Sequence, residues 1–208
     1  QGDGSSNSLF TLDAALKLTG AHGEPLGTLK DLFAQASRIT VPVLRIRDQA
    51  TVDALAGFSA DVHMLFDITL LSDDVQLLGY AREQLPGSRT VLDFSGSALA
   101  EGKQTLLQIV GDTNRAGAKI ALLPASFTTR ANVSYLQRML LTVWAASDAQ
   151  TPQEAANVLT TGVNGLLTPS SELFAEVLRK LPANTLLRKP LITGHRGMPA
   201  GGENDENT

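Results

Sequence analysis

Residues 141–181 read LTVWAASDAQTPQEAANVLTTGVNGLLTPSSELFAEVLRKL, and their order of apolar runs and helix signals decides the fold class. Leu141 to Ala145 is a short apolar strand candidate, and Val163 to Leu167 is a second. Neither alternates with polar residues, so both suit a parallel sheet covered by helices. Between them TPQEAANVLTTG carries Thr151 as an N-cap, Pro152 in the first turn and Gly162 at the end, which together mark a helix. SELFAEVLRKL then supplies a second amphipathic helix. The stretch is strand, helix, strand, helix.

The same unit repeats along the rest of the chain. Further strand candidates are Leu9 to Asp13, Thr40 to Arg47, Val62 to Ile68, Thr90 to Phe94, Lys119 to Leu123 and Pro190 to Thr193, which brings the set to eight. SDDVQLLGYAREQL, with Ser72 expected as its N-cap, and SALAEGKQTLLQIVGDTNRAG, ending at Gly117, read as helices. Repeated right-handed β-α-β crossovers build either an open doubly wound sheet or a closed barrel. No glycine-rich phosphate turn follows the first strand, so an α/β fold of the TIM (β/α)8 type is expected, compact and at the small end of that size range. The composition shifts only at LPANTLLRKP and the tail after it, which predicts a boundary near residues 182–189.

Composition bounds the function. The chain has 208 residues, 43% of them hydrophobic and 18% charged, below the roughly 25% charged usage of an ordinary soluble domain. It is too apolar to be disordered. Seventeen basic and 21 acidic side chains give a net charge of -4, which offers no footprint for nucleic acid. No cysteine is present, so thiolate nucleophiles, disulfides and zinc-thiolate sites are excluded together. No apolar run approaches the ~18 residues of a membrane span, and the compartment is left open.

Imidazole chemistry has three sources. His63 lies in an apolar run and reads as a packed histidine; His22, in TGAHGEP, reads as an exposed loop residue. His195 differs, because PLITGHRG sets an imidazole and the Arg196 guanidinium directly after a strand, where barrel enzymes build their sites. Arginine can grip phosphate oxygens and histidine can protonate a leaving alkoxide. Glu203, Asp205 and Glu206 supply oxygen ligands suited to Mg²⁺ or Ca²⁺, although a solvated acidic tail would read the same way. Trp144 reads as a core residue rather than a sugar platform.

LITGHRG followed by ENT resembles the opening motif of the glycerophosphodiester phosphodiesterase family, a strand, His-Arg-Gly, a loop and Glu-Asn-Thr. Glu203 with Asn204 is a second register for the acidic residue. VWAASDAQTPQEAANVLTTGVNGLLTPSSELFAEVL is similar to the family's last two β/α units, and LFTLDAALKLTGAHGEPLGTLKDL to its His-Asp-x-Thr-Leu segment. The resemblance implies metal-dependent hydrolysis of a glycerophosphodiester to glycerol 3-phosphate and an alcohol. It implies His195 and Arg196 as catalytic residues, Glu206 and Asp67 as metal ligands, and Mg²⁺ or Ca²⁺ as the ion, incompletely held by this chain.

The sequence departs from the pattern at several positions. Leu12 stands where the second histidine belongs, with Asp13 kept; Ser147 replaces an asparagine and Pro169 an aspartate. The Glu-x-Lys strand aligns most naturally with FDIT, giving Asp67 and Thr69; aligning it with LRIR instead would put Arg45 at a metal ligand's place. The Glu-x-Asp pair has no counterpart. His-Arg-Gly also comes last here and first in the family. Either residues 1–185 are a degenerate barrel and 186–208 hold a linker and the first strand of a following phosphodiesterase domain, or that strand closes the same barrel in permuted order. The expected partners are such a downstream domain and a phosphate-bearing small molecule. The functions to be weighed are a non-catalytic barrel, a diverged active hydrolase and a phosphate or polyol binding module.

Overall fold

The computed structural model describes residues 10–20, 23–35, 42–61, 68–182 and 191–194. Contacts divide the chain into two compact units, the first formed by residues 1–93 and 112–119, the second by 94–111 and 120–208.

The first unit opens with an antiparallel meander of β1 (Phe10–Leu12), β2 (Lys17–Thr19) and β3 (Pro25–Thr28). Asp13 shapes the first turn, its Oδ1 accepting from the backbone N–H groups of Ala15 and Lys17. Helix α1 (Leu29–Gln35) follows, and Thr28 and Asp31 cap it reciprocally: Asp31 N–H donates to the Thr28 hydroxyl oxygen, while Thr28 N–H donates to the Asp31 carboxylate. The Thr28 hydroxyl, donating to Asp31 Oδ2 at 2.7 Å, and then the Thr28 N–H hold the Asp31 carboxyl below its ordinary range. The chain then runs β4 (Val43–Arg45), α2 (Gln49–Asp61), β5 (Thr69–Ser72), α3 (Val75–Gln84) and β6 (Arg89–Asp93). Strand β4 lies parallel to β1, β5 to β4 and β6 to β5. Phe33 of α1 stacks on Phe58 of α2, with ring centroids 6.3 Å apart.

Two expectations are corrected here. The strand expected over Val62 to Ile68 lies, but for Ile68, outside the described residues; Ile68 is not in a strand, and β5, at Thr69–Ser72, was not expected. All four β5 side chains are buried, so the run TLLS meets the requirement of an interior parallel strand. Ser72 ends that strand and is not the helix cap. Asp74 caps α3, its carboxylate accepting from Gln76 and Leu77 N–H, because a carboxylate two residues further on reaches the open amides that Ser72 does not.

Helix α4 (Lys103–Arg115) belongs to the second unit up to Gly111 and to the first from Asp112. Gly117, two residues past its end, has φ +63°; a Cβ there would also lie 2.5 Å from Arg82 Cδ. In the second unit follow β7 (Ile120–Pro124), α5 (Arg130–Arg138), β8 (Thr142–Ala146), α6 (Pro152–Leu159), β9 (Gly165–Thr168), α7 (Ser171–Lys180) and β10 (Leu191–Gly194). Strands β7, β8, β9 and β10 are parallel neighbours in that order. Alternate residues Ala121, Leu123, Val143, Ala145 and Leu166 pack with Ile109, Leu136, Leu159 and Phe174 of the helices. Their neighbours Leu122, Trp144 and Leu167 are buried as well, on the other face of the strands. Both faces are therefore covered, as the unbroken apolar runs predict.

Trp144 is a core residue, as expected. It also explains the run Gly162-Val163-Asn164-Gly165. Gly162 has φ +91°, and a Cβ on Gly165 would fall 2.7 Å from Trp144 Cδ1 and Nε1. Asn164 Oδ1 accepts from Val143 N–H at 3.0 Å and from Gln137 Nε2 at 3.0 Å, so this side chain ties β8 to α5.

Candidate functional site

The carboxyl ends of parallel strands are where β/α folds place their reactive groups. In the second unit these ends carry Ser147 after β8 and Thr168 at the end of β9, both buried. Each hydroxyl is turned back on its own chain: Ser147 Oγ accepts from Ala149 N–H at 3.3 Å, and Thr168 Oγ1 from Ser170 N–H at 3.0 Å. Ser72 at the end of β5 does the same for Asp74 N–H. These hydroxyls close strand-to-helix turns. Strand β10 pairs with β9 in register from Leu191 opposite Gly165 to Gly194 opposite Thr168. The next two residues in the sequence are His195 and Arg196.

Strands β4 and β6 of the first unit end differently. In-register pairing puts Thr11, Arg45, Leu71 and Val91 at one level of β1, β4, β5 and β6, on one face of the strands. Asp93 lies two residues further along β6, on that same face. Arg45 reaches across β5, and its Nη2 donates to Asp93 Oδ2 at 2.5 Å. The side chains are 19% and 4% exposed, with fully buried Leu71 and Val91 between them in the register. Beyond the strand ends follow Asp13, Arg47 and Asp73, all exposed.

Of the residues the sequence singled out, His195, Arg196, Glu206 and Asp67 lie outside the described residues, as do His22 and His63. Among the described residues no group of three or more histidine, aspartate or glutamate side chains could hold a metal ion, and no helix is long and apolar enough to cross a membrane. Asp93 was not singled out by the sequence reading. Its signal was a carboxylate ending the apolar run TVLD, an unusual residue for a buried strand end.

No protein-family model matches the chain, and no curated protein matches it. Solved structures do. A glycerophosphoryl diester phosphodiesterase from Parabacteroides distasonis ATCC 8503 aligns with 81% of this chain and 62% of its own, at TM-score 0.56 and 14% identity. A protein from Galdieria sulphuraria, provisionally named a glycerophosphodiester phosphodiesterase, aligns over 78% and 68% at TM-score 0.61 and 14% identity. One from Silicibacter pomeroyi DSS-3, provisionally named a glycerophosphoryl diester phosphodiesterase, aligns over 66% and 50% at TM-score 0.55 and 18% identity. The chain thus spans half to two thirds of these proteins' lengths. It has the α/β, TIM-barrel type of fold of the glycerophosphodiester phosphodiesterases, as the motif resemblance implied.

Proposed function

We propose that this chain is a glycerophosphodiester phosphodiesterase-like barrel whose own residues do not complete the metal-dependent hydrolytic site, and which serves as a non-catalytic domain of a larger phosphodiesterase. The observation that carries this reading is the Arg45–Asp93 pair. Strand β4 is the first strand after the meander and α1, so the element order supports the register in which Arg45 stands where the family's strand supplies a metal carboxylate. A guanidinium cannot ligate a cation. Ser147 and Pro169, at the ends of β8 and β9, extend the departure.

The parent reaction adds water across a phosphodiester: a P–O bond to the alcohol breaks, and glycerol 3-phosphate and the alcohol leave. In that reaction His195 would protonate the departing alkoxide and Arg196 would bind phosphate oxygens. In the other register, in which FDIT is that strand, Glu206 and Asp67 would be the ligands for Mg²⁺ or Ca²⁺, an ion that would polarise the phosphoryl group. Two carboxylates are too few to fix such an ion at its usual coordination.

Segment 186–208, with its linker and His-Arg-Gly, either begins a following domain or closes this barrel. Strand β10 pairs with β9, which joins its four residues to the strands of the second unit and leaves both readings open. The test is turnover: the purified chain with Mg²⁺ or Ca²⁺ and a glycerophosphodiester should release no product above a His195→Ala control. Release well above that control would overturn the non-catalytic reading and favour a diverged hydrolase.

A further inference from the structure

We infer that Arg45 is a tethered cation that takes the electrostatic place of a divalent metal at the strand ends of the first unit, so that Asp93 is closed to metal ions. This rests on the proposed reading above for the family position of β4, and on the ion pair itself. A divalent ion needs several oxygen ligands with free lone pairs, six or so for Mg²⁺ and up to about eight for Ca²⁺. Here Asp93 Oδ2 accepts from the Arg45 guanidinium at 2.5 Å, in a pair almost closed to solvent. An ion approaching that oxygen would meet a fixed like charge with little water to screen it. The other charged groups nearby in sequence do not reverse this. Asp13 is engaged by the Ala15 and Lys17 amides, Asp73 is exposed, and Arg47 adds a further positive charge. The described residues therefore do not fit a divalent metal, because the carboxylate that could ligate one is already neutralised by a side chain.

The test uses Ca²⁺ as the probe on the whole chain, with binding followed by calorimetry and melting temperature. Wild type and Asp93→Asn should take up Ca²⁺ equally, since Asp93 contributes no ligand. Arg45→Glu should gain Ca²⁺ uptake of at least about tenfold higher affinity than wild type, with a Ca²⁺-dependent rise in melting temperature. Asp93→Asn added to it should abolish the gain. Loss of wild-type Ca²⁺ uptake on Asp93→Asn would overturn the inference, as would a folded Arg45→Glu chain, judged by circular dichroism, with no gain. If Arg45→Glu does not fold, Arg45→Gln serves: it should show more Ca²⁺ uptake than wild type, and no change would count against the inference. The outcomes separate from those above. Turnover by the wild type would remove the non-catalytic reading while Asp93 stays silent to metal; Ca²⁺ uptake through Asp93 without turnover would do the reverse.

Discussion

At the strand ends of the first unit a nearly buried ion pair, Arg45 with Asp93, sits above apolar side chains, whereas the second unit presents Ser147 and Thr168, whose hydroxyls accept from backbone amides two residues on. The same β-then-α unit thus closes its strands in two ways. A hydroxyl closing a turn is replaceable at small cost. A charge held away from water is not, because removing its partner leaves it uncompensated.

The contrast can be broken at several points, and the expected losses fall in order. Asp93→Ala leaves the Arg45 guanidinium without its carboxylate and should cost about 3 kcal/mol in chemical denaturation. Asp93→Ala with Arg45→Met should cost less than the two single losses added; simple additivity would show that the pair is not coupled. In the second unit the tightest constraint is steric. Gly165→Ala drives a Cβ to within 2.7 Å of Trp144 and should cost about 2 kcal/mol. In a Trp144→Ala background the same change should be milder, and an equal loss in both would remove the steric account.

The smallest effect lies at the start of α6. Thr151→Ala opens a complete capping box and should cost about 1 kcal/mol. The Glu154 carboxyl of that box is held below its ordinary range, chiefly by the Gln150 N–H and then by Thr151. A depressed folded-state value means that its stabilising contribution is present above the unfolded glutamate pKa and is lost as pH falls through the folded one. Glu154→Gln should flatten the acid side of the stability profile in that window, and an unchanged profile would count against the box.

The second unit was nearly transparent in the sequence. Thr151, Pro152, Gly162 and the runs around Trp144 each act locally, through a cap, a fixed φ or an apolar strand, and such signals are written within a few residues. The first unit hid more. Strand β2 has only three residues and β3 only four, one of them Gly27, and β5 was missed because TLLS is a run of four that follows directly on a longer apolar stretch. The Arg45–Asp93 pair joins residues 48 positions apart. No periodicity announces such a contact; it emerges only when the strand registers are known. The motif resemblance led correctly to the fold, while the residues it favoured for chemistry, His195, Arg196, Glu206 and Asp67, lie outside the described segments.

Strand β9 has four buried side chains and hydrogen-bonded neighbours on both sides, β8 and β10. A version of the protein shortened before residue 190 would bare one row of its amides and carbonyls along an apolar ribbon, with the adhesiveness of a freshly cut sheet. Whatever chemistry His-Arg-Gly does or does not perform, the four residues ahead of it act as a selvage that keeps the fabric from joining to its neighbours.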